Sequence, residues 1–117
     1  MQTKELLKIV EDVLEERKGQ DIIVLDVIGK TSVTDYMVIV TSTSERHAKS
    51  LAEYVLVEVK EKGFKPLGME GQQGSDWVLL DLGDIILHVM TAQARDFYQL
   101  EKLWSVERTD NSEVLGE

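Results

Sequence analysis

Trp77-Val-Leu-Leu-Asp-Leu82, then Gly83-Asp84, then Ile85-Ile-Leu-His-Val-Met90 sets two apolar runs on either side of a two-residue loop that starts with glycine. This is the pattern of a tight β-hairpin with a type II′ turn. If Leu82 pairs with Ile85, strand alternation puts Val78, Leu80, Leu82, Ile85, Leu87 and Val89 on one wholly aliphatic face, which must be core. The opposite face then carries Trp77, Leu79, Asp81, Ile86, His88 and Met90.

Working outward, Thr91 is placed to cap a last helical stretch through Ala94, Phe97 and Tyr98, continuing or kinking into Leu100-Glu-Lys-Leu-Trp104. Upstream, Glu70 to Asp76 is a glycine-rich loop, and Pro66 suits the start of a short or edge strand over 65–69, since it cannot donate to a ladder. Ala48, Leu51, Ala52, Val55 and Val59 mark one face of the longest helix, with N-caps available in Thr41-Ser-Thr-Ser44 and a stop at Lys62-Gly63. Residues 21–27 and 36–41 are β-branched runs read as neighbouring strands. Leu6, Ile9, Val10, Val13 and Leu14 predict an amphipathic helix over 4–18, capped by Thr3 and stopped by Gly19. The order α-β-β-α-β-β-β-α predicts an α/β (α+β) domain, a mixed sheet of about five strands flanked by helices.

The 117 residues suffice for one domain, expected over 1–104, and from 105 to 117 no periodicity survives, so that segment reads as a flexible acidic tail. The absence of cysteine excludes disulfides, thiolate metal sites and cysteine nucleophiles. Thirteen basic against twenty-two acidic residues give a net charge of −9, of which the tail's four acids and one arginine supply −3. Such a balance opposes phosphate-backbone and anionic-membrane binding and favours a basic protein partner. No apolar stretch approaches the ~20 residues of a membrane span, and the charged amphipathic start is unlike a targeting peptide, so a soluble cytoplasmic protein is expected.

Candidates for chemistry are sparse. His47, in the first turn of the long helix, fits a capping role better than a catalytic one. His88 lies across from the core face with no second histidine at ligand spacing, which favours a half-exposed contact residue over a metal ligand. Gly74-Ser75 with Asp81 and Asp84 resembles a magnesium and triphosphate grip, but two such carboxylates on one strand should be two residues apart, not three, and Asp84 sits in the hairpin turn. The loop over 70–76 lacks the lysine and following helix of a P-loop. Trp77, Tyr98 and Trp104 have ring faces for bases, yet no basic run flanks them, so sequence-specific nucleic-acid binding is not expected. What remains is a mixed aromatic, aliphatic and acidic set: Trp77, Leu79, Asp81, His88 and Met90 on the outer hairpin face, with Tyr98, Leu100, Glu101 and Trp104 after it. That composition suits a protein interface. Two readings stay open: a contact surface, or a face covered by a further helix, with Leu103 and Trp104 closing the core.

The ordered motifs Asp35-Tyr-Met-Val-Ile, Thr43-Ser44-Glu-Arg46-His, Pro66-Leu-Gly-Met-Glu70-Gly71, Asp76-Trp77-Val-Leu-Leu-Asp81-Leu-Gly83-Asp84 and Arg95-Asp-Phe-Tyr98-Gln-Leu100-Glu101-Lys-Leu103-Trp104 closely resemble the ribosomal silencing factor family, RsfS, also called Iojap-like. The resemblance runs from about residue 3 to 105. It implies a nucleotidyltransferase-like fold without the catalytic set, no enzymatic activity and no cofactor. It also implies binding to the large ribosomal subunit through ribosomal protein L-fourteen, steric blocking of subunit joining when nutrients are scarce, and homodimers when free. On that reading the nine residues above form the partner-binding surface, Asp81 and Glu101 pairing with basic side chains. The alternative from a different class is a nucleotidyltransferase-like enzyme using magnesium at Asp81 and Asp84.

Overall fold

The computed structural model describes residues 1–71 and 74–105, the side chains of 103–105 excepted. The elements are α1 (Thr3–Glu16), β1 (Gln20–Asp26), β2 (Tyr36–Ser42), α2 (Glu45–Glu61), β3 (Gly68–Glu70), β4 (Trp77–Asp81), β5 (Ile85–Thr91), α3 (Ala92–Tyr98) and α4 (Leu100–Ser105). The hairpin has the expected register: Val78 faces Val89, Leu80 faces Leu87, and the Leu82 N–H donates to the Ile85 carbonyl at 2.8 Å. Gly83 takes φ +82°, which the turn requires and glycine alone adopts without cost. All six aliphatic residues of the inner face are buried.

Sheet order is β1-β2-β5-β4-β3, with β2 and β5 parallel and the other pairs antiparallel. The parallel pair places β5 at the centre, buried along nearly its whole length. One sheet face packs under α1 and α2, where Leu6, Val10, Val13, Leu14, Ala48, Leu51, Val55 and Val59 meet Val38, Val40, Leu80, Leu87 and Val89. The other is covered in part by α3 and the start of α4, around Leu25, Val27, Ile39, Met90 and Ala94. The mixed, helix-flanked sheet expected from the sequence is therefore observed.

Several local details differ. α1 is capped by Gln2, whose N–H donates to Glu5, while the Thr3 hydroxyl instead donates to Asp84 Oδ2 at 2.8 Å. That helix ends at Glu16, and the left-handed position beyond it belongs to Lys18 (φ 69°), not Gly19. Gly19 is needed for space: a Cβ there would lie 2.7 Å from Val40 Cγ2 and 3.0 Å from the Leu14 carbonyl oxygen. β3 begins at Gly68, two residues beyond Pro66, as a three-residue edge strand. The last helical stretch is broken at Gln99, which takes a left-handed conformation (φ 51°) between α3 and α4. α4 runs through Ser105; the tail expected beyond it and the side chain of Trp104 lie outside the described residues.

Two glycines with positive φ separate backbone strain from collision. Gly63 (φ +90°) has open space around an added Cβ, whereas at Gly71 (φ +83°) the Cβ would lie 2.4 Å from the Trp77 carbonyl oxygen. Gly63→Ala should cost about 1 kcal/mol, the left-handed penalty alone. Gly71→Ala should cost upwards of ~2 kcal/mol because rigid backbone must move as well. Urea unfolding of both variants measures the difference, and equal costs would contradict it.

Candidate functional site

The outer face of the hairpin divides between its two strands. On β4, Trp77, Leu79 and Asp81 are each half-buried. On β5, Ile86, His88 and Met90 are buried, the last completely, beneath the layer that includes Ile39 and Ala94. The expectation that His88 is half-exposed and that Met90 belongs to an open surface is thus corrected. A helix does cover this face over β2 and β5 and reaches Trp77 at the start of β4, because α3 follows β5 directly and packs back beside it.

From the buried histidine an aromatic row steps outward. The Trp77 indole N–H donates to His88 Nδ1 at 3.1 Å, with ring centroids 5.8 Å apart. Trp77 lies 4.6 Å from Tyr98, and Tyr98 meets Phe97 edge-on at 5.0 Å. Exposure rises along the row from 6% at His88 to 49% at Tyr98 and 78% at Phe97. Phe97, expected only as part of the last helical stretch, is exposed to solvent one residue before α3 ends, while Arg95 is buried. The signal that could have revealed Phe97 is the pair of adjacent aromatics at a helix end, which cannot both face one core.

The acidic candidates have partners within the chain. Glu101 Oε2 accepts from Arg95 Nε at 2.9 Å, so this carboxylate secures α4 to α3. The same guanidinium donates through Nη1 to the Asp21 carbonyl (2.6 Å) and the Thr41 hydroxyl (2.8 Å), joining α3, α4, β1 and β2. Asp21 is accessible to it because β1 bulges between Gln20 and Ile23, with Asp21 at φ 51°. Asp81 Oδ1 accepts from the Gly83 N–H at 2.9 Å and braces the hairpin turn. Leu100 is half-buried against the second core cluster. Trp104 is carried by α4, its side chain being among those not described.

The residues weighed for chemistry make the following contacts within the chain. Asp84 holds Thr3, and its carbonyl accepts from Asp35 and Tyr36 N–H. Ser75 bonds the backbone of Trp77. His47 Nδ1 accepts from the Thr43 N–H at 2.9 Å while Nε2 lies 3.0 Å from the Arg17 carbonyl, so the ring ties the end of α1 to the start of α2. Ser44 caps α2 by accepting from the His47 N–H.

Burial pushes the His88 imidazole down from 6.5 to about 4, since desolvation penalises its charged form. The neutral ring accepts the indole N–H at Nδ1 and carries its proton on Nε2, which has no partner among the described residues. Above pH 6.5 both folded and unfolded chains hold this histidine neutral and its contribution is complete. As the pH falls from 6.5 towards 4, only the unfolded chain takes up the proton, so stability drops by an amount of order 3 kcal/mol. His88→Leu should flatten that part of the stability–pH curve, measured by urea midpoints between pH 7 and 4; an unchanged slope would place the titration elsewhere.

The chain is similar to known proteins over most of its length. Residues 1–116 match the family described as ribosomal silencing factor during starvation. The ribosomal silencing factor RsfS of Haemophilus influenzae is 44% identical over 86% of this chain and 98% of its own length. The mouse protein named mitochondrial assembly of ribosomal large subunit protein 1 is 30% identical over 90% of this chain and 47% of its own. A crystal structure of a Chromobacterium violaceum protein superposes with a TM-score of 0.87 at 40% identity, covering 99% of this chain and 95% of that one. Among the described residues no helix is long and apolar enough to cross a membrane. The chain belongs to the RsfS family of ribosomal silencing factors.

Proposed function

We propose that this protein silences translation as a non-enzymatic cytoplasmic regulator, docking on the large ribosomal subunit through ribosomal protein L-fourteen and keeping the small subunit from joining. Family membership supports the ribosomal role. The name of the mouse relative, which concerns large-subunit assembly, supports the choice of subunit. The observation that carries the contact surface is the aromatic row ending in solvent at Tyr98 and Phe97. A docked monomer blocks by excluded volume and needs affinity and position but no reaction. Free copies pair as homodimers.

Within this surface the roles divide by depth. Phe97 and Tyr98 are the exposed anchors, flanked by Trp77, Leu79 and Leu100, with Asp81 as the negative group facing a basic partner. His88 and Met90 support Trp77 from below, and Glu101 holds α4 in place through Arg95. Trp104, carried by α4, belongs to the same proposed set.

Phe97→Ala and Tyr98→Ala should each weaken co-sedimentation with purified large subunits by tenfold or more, about 2 kcal/mol per anchor, with an unchanged circular dichroism spectrum. Full binding by both variants would remove these rings from the interface. Asp81→Asn keeps the oxygen that accepts from Gly83 and removes only the charge. It should weaken binding at low salt and converge with the parent at high salt, because ions screen the attraction. A loss that is the same at every salt concentration would argue against a charge pairing at Asp81.

A further inference from the structure

β2 and β5 are parallel, yet their continuations diverge: β2 leads into α2 on one face of the sheet and β5 into α3 on the other. Diverging connections leave a crevice outside the carboxyl ends of the two strands, where open α/β sheets hold small ligands. A cavity of about 460 Å³ lies there, lined among others by Gln20, Asp21, Thr41, Arg95, Asp96 and Gln99. Its size falls within the ~300–1,000 Å³ of small-molecule sites.

The chemistry of the lining narrows the ligand. Arg95 is only 9% exposed, with Nε and Nη1 engaged by Glu101, Asp21 and Thr41. Its Nη2 makes no hydrogen bond among the described residues, and it is not one of the buried atoms sealed from solvent. A fixed guanidinium with two N–H groups to spare suits a carboxylate. The Thr41 hydroxyl, which accepts from Nη1, keeps its own proton to donate. Asp21 and Asp96 line the same cavity, and neither carboxylate has an ion pair among the described residues. The same lining carries Glu101, which pairs with Arg95, and Lys102, so three carboxylates face two cations and a ligand of a single charge meets like charge there whatever its sign.

We propose that the crevice binds a free α-amino acid, its carboxylate on Arg95 Nη2 and its ammonium group between Asp21 and Asp96. The Gln20 and Gln99 amides favour a polar side chain on that ligand. This site borders the proposed contact surface, sharing Glu101 with it, and its ligand is tested on the free protein without ribosomes.

Titration of the full chain with L-glutamine, followed by ¹H–¹⁵N NMR, tests the assignment, with acetate and methylammonium as ligands carrying one charge each. Saturable shifts at the amides of Gln20, Asp21, Thr41, Asp96 and Gln99 are expected, with a dissociation constant below ~1 mM. Asp96→Asn, at an exposed position, should weaken binding about tenfold or more, and each singly charged ligand should bind at least about tenfold more weakly than glutamine. The proposal is overturned by an absence of saturable shifts at ~10 mM glutamine, by shifts confined to other residues, by equal binding of acetate, or by an Asp96→Asn variant that binds as well as the parent.

Discussion

The register of β4 on β5, locked where the Leu82 N–H meets the Ile85 carbonyl, is the constraint on which the molecule rests. Because side chains alternate across a strand and β5 is held by β2, a slip of β4 by one residue would send Val78 and Leu80 to the wrong face and bring Trp77 under α2. The correct register does two things at once. It supplies the aliphatic floor for α1 and α2, and it sets Trp77 diagonally beside His88 so that indole and imidazole bond. Position on the far side of the sheet is therefore inherited from packing on the near side. Asp81 closes the arrangement by holding the turn that fixes the register.

Those parts of the fold written in periodicity were legible. The five helix-face residues from Ala48 to Val59, the six hairpin aliphatics and the α-β-β-α-β-β-β-α order emerge from local patterns that tertiary structure then obeys. What was illegible depends on chain segments meeting over long separations. Whether Met90 and His88 are covered cannot be told from β5, since the cover comes from α3 and the start of α4. The burial of Arg95 depends on the Asp21 carbonyl, 74 positions away, which the β1 bulge brings to it. Glu101, chosen as a partner contact for its charge, meets that same arginine first. Gly19 invited the wrong reason: a stop signal in the sequence, a close approach of Val40 in space.

In the docking proposed above, electrostatics and surface shape divide the work of recognition. A chain of net charge −9 is repelled at long range by a particle coated in phosphates, so productive encounter concentrates where basic protein interrupts the RNA. Near contact, the aromatic row supplies area with few rotatable bonds to freeze, and its inner members are already fixed by the Trp77–His88 bond. Neutral His88 matters for this: a charged ring would lose its acceptor at Nδ1 and release the indole.

The two outer strands of the sheet also limit how copies of this protein can meet. β3 is three residues long and preceded by Pro66, and β1 is bent by the bulge at Asp21. Neither border offers the long, flat run of unpaired amides and carbonyls on which a second sheet could grow. An open five-stranded sheet is thereby protected from edge-to-edge polymerisation, whatever the concentration of the protein. Association is left to side-chain surfaces, which have defined shape and therefore a defined stoichiometry.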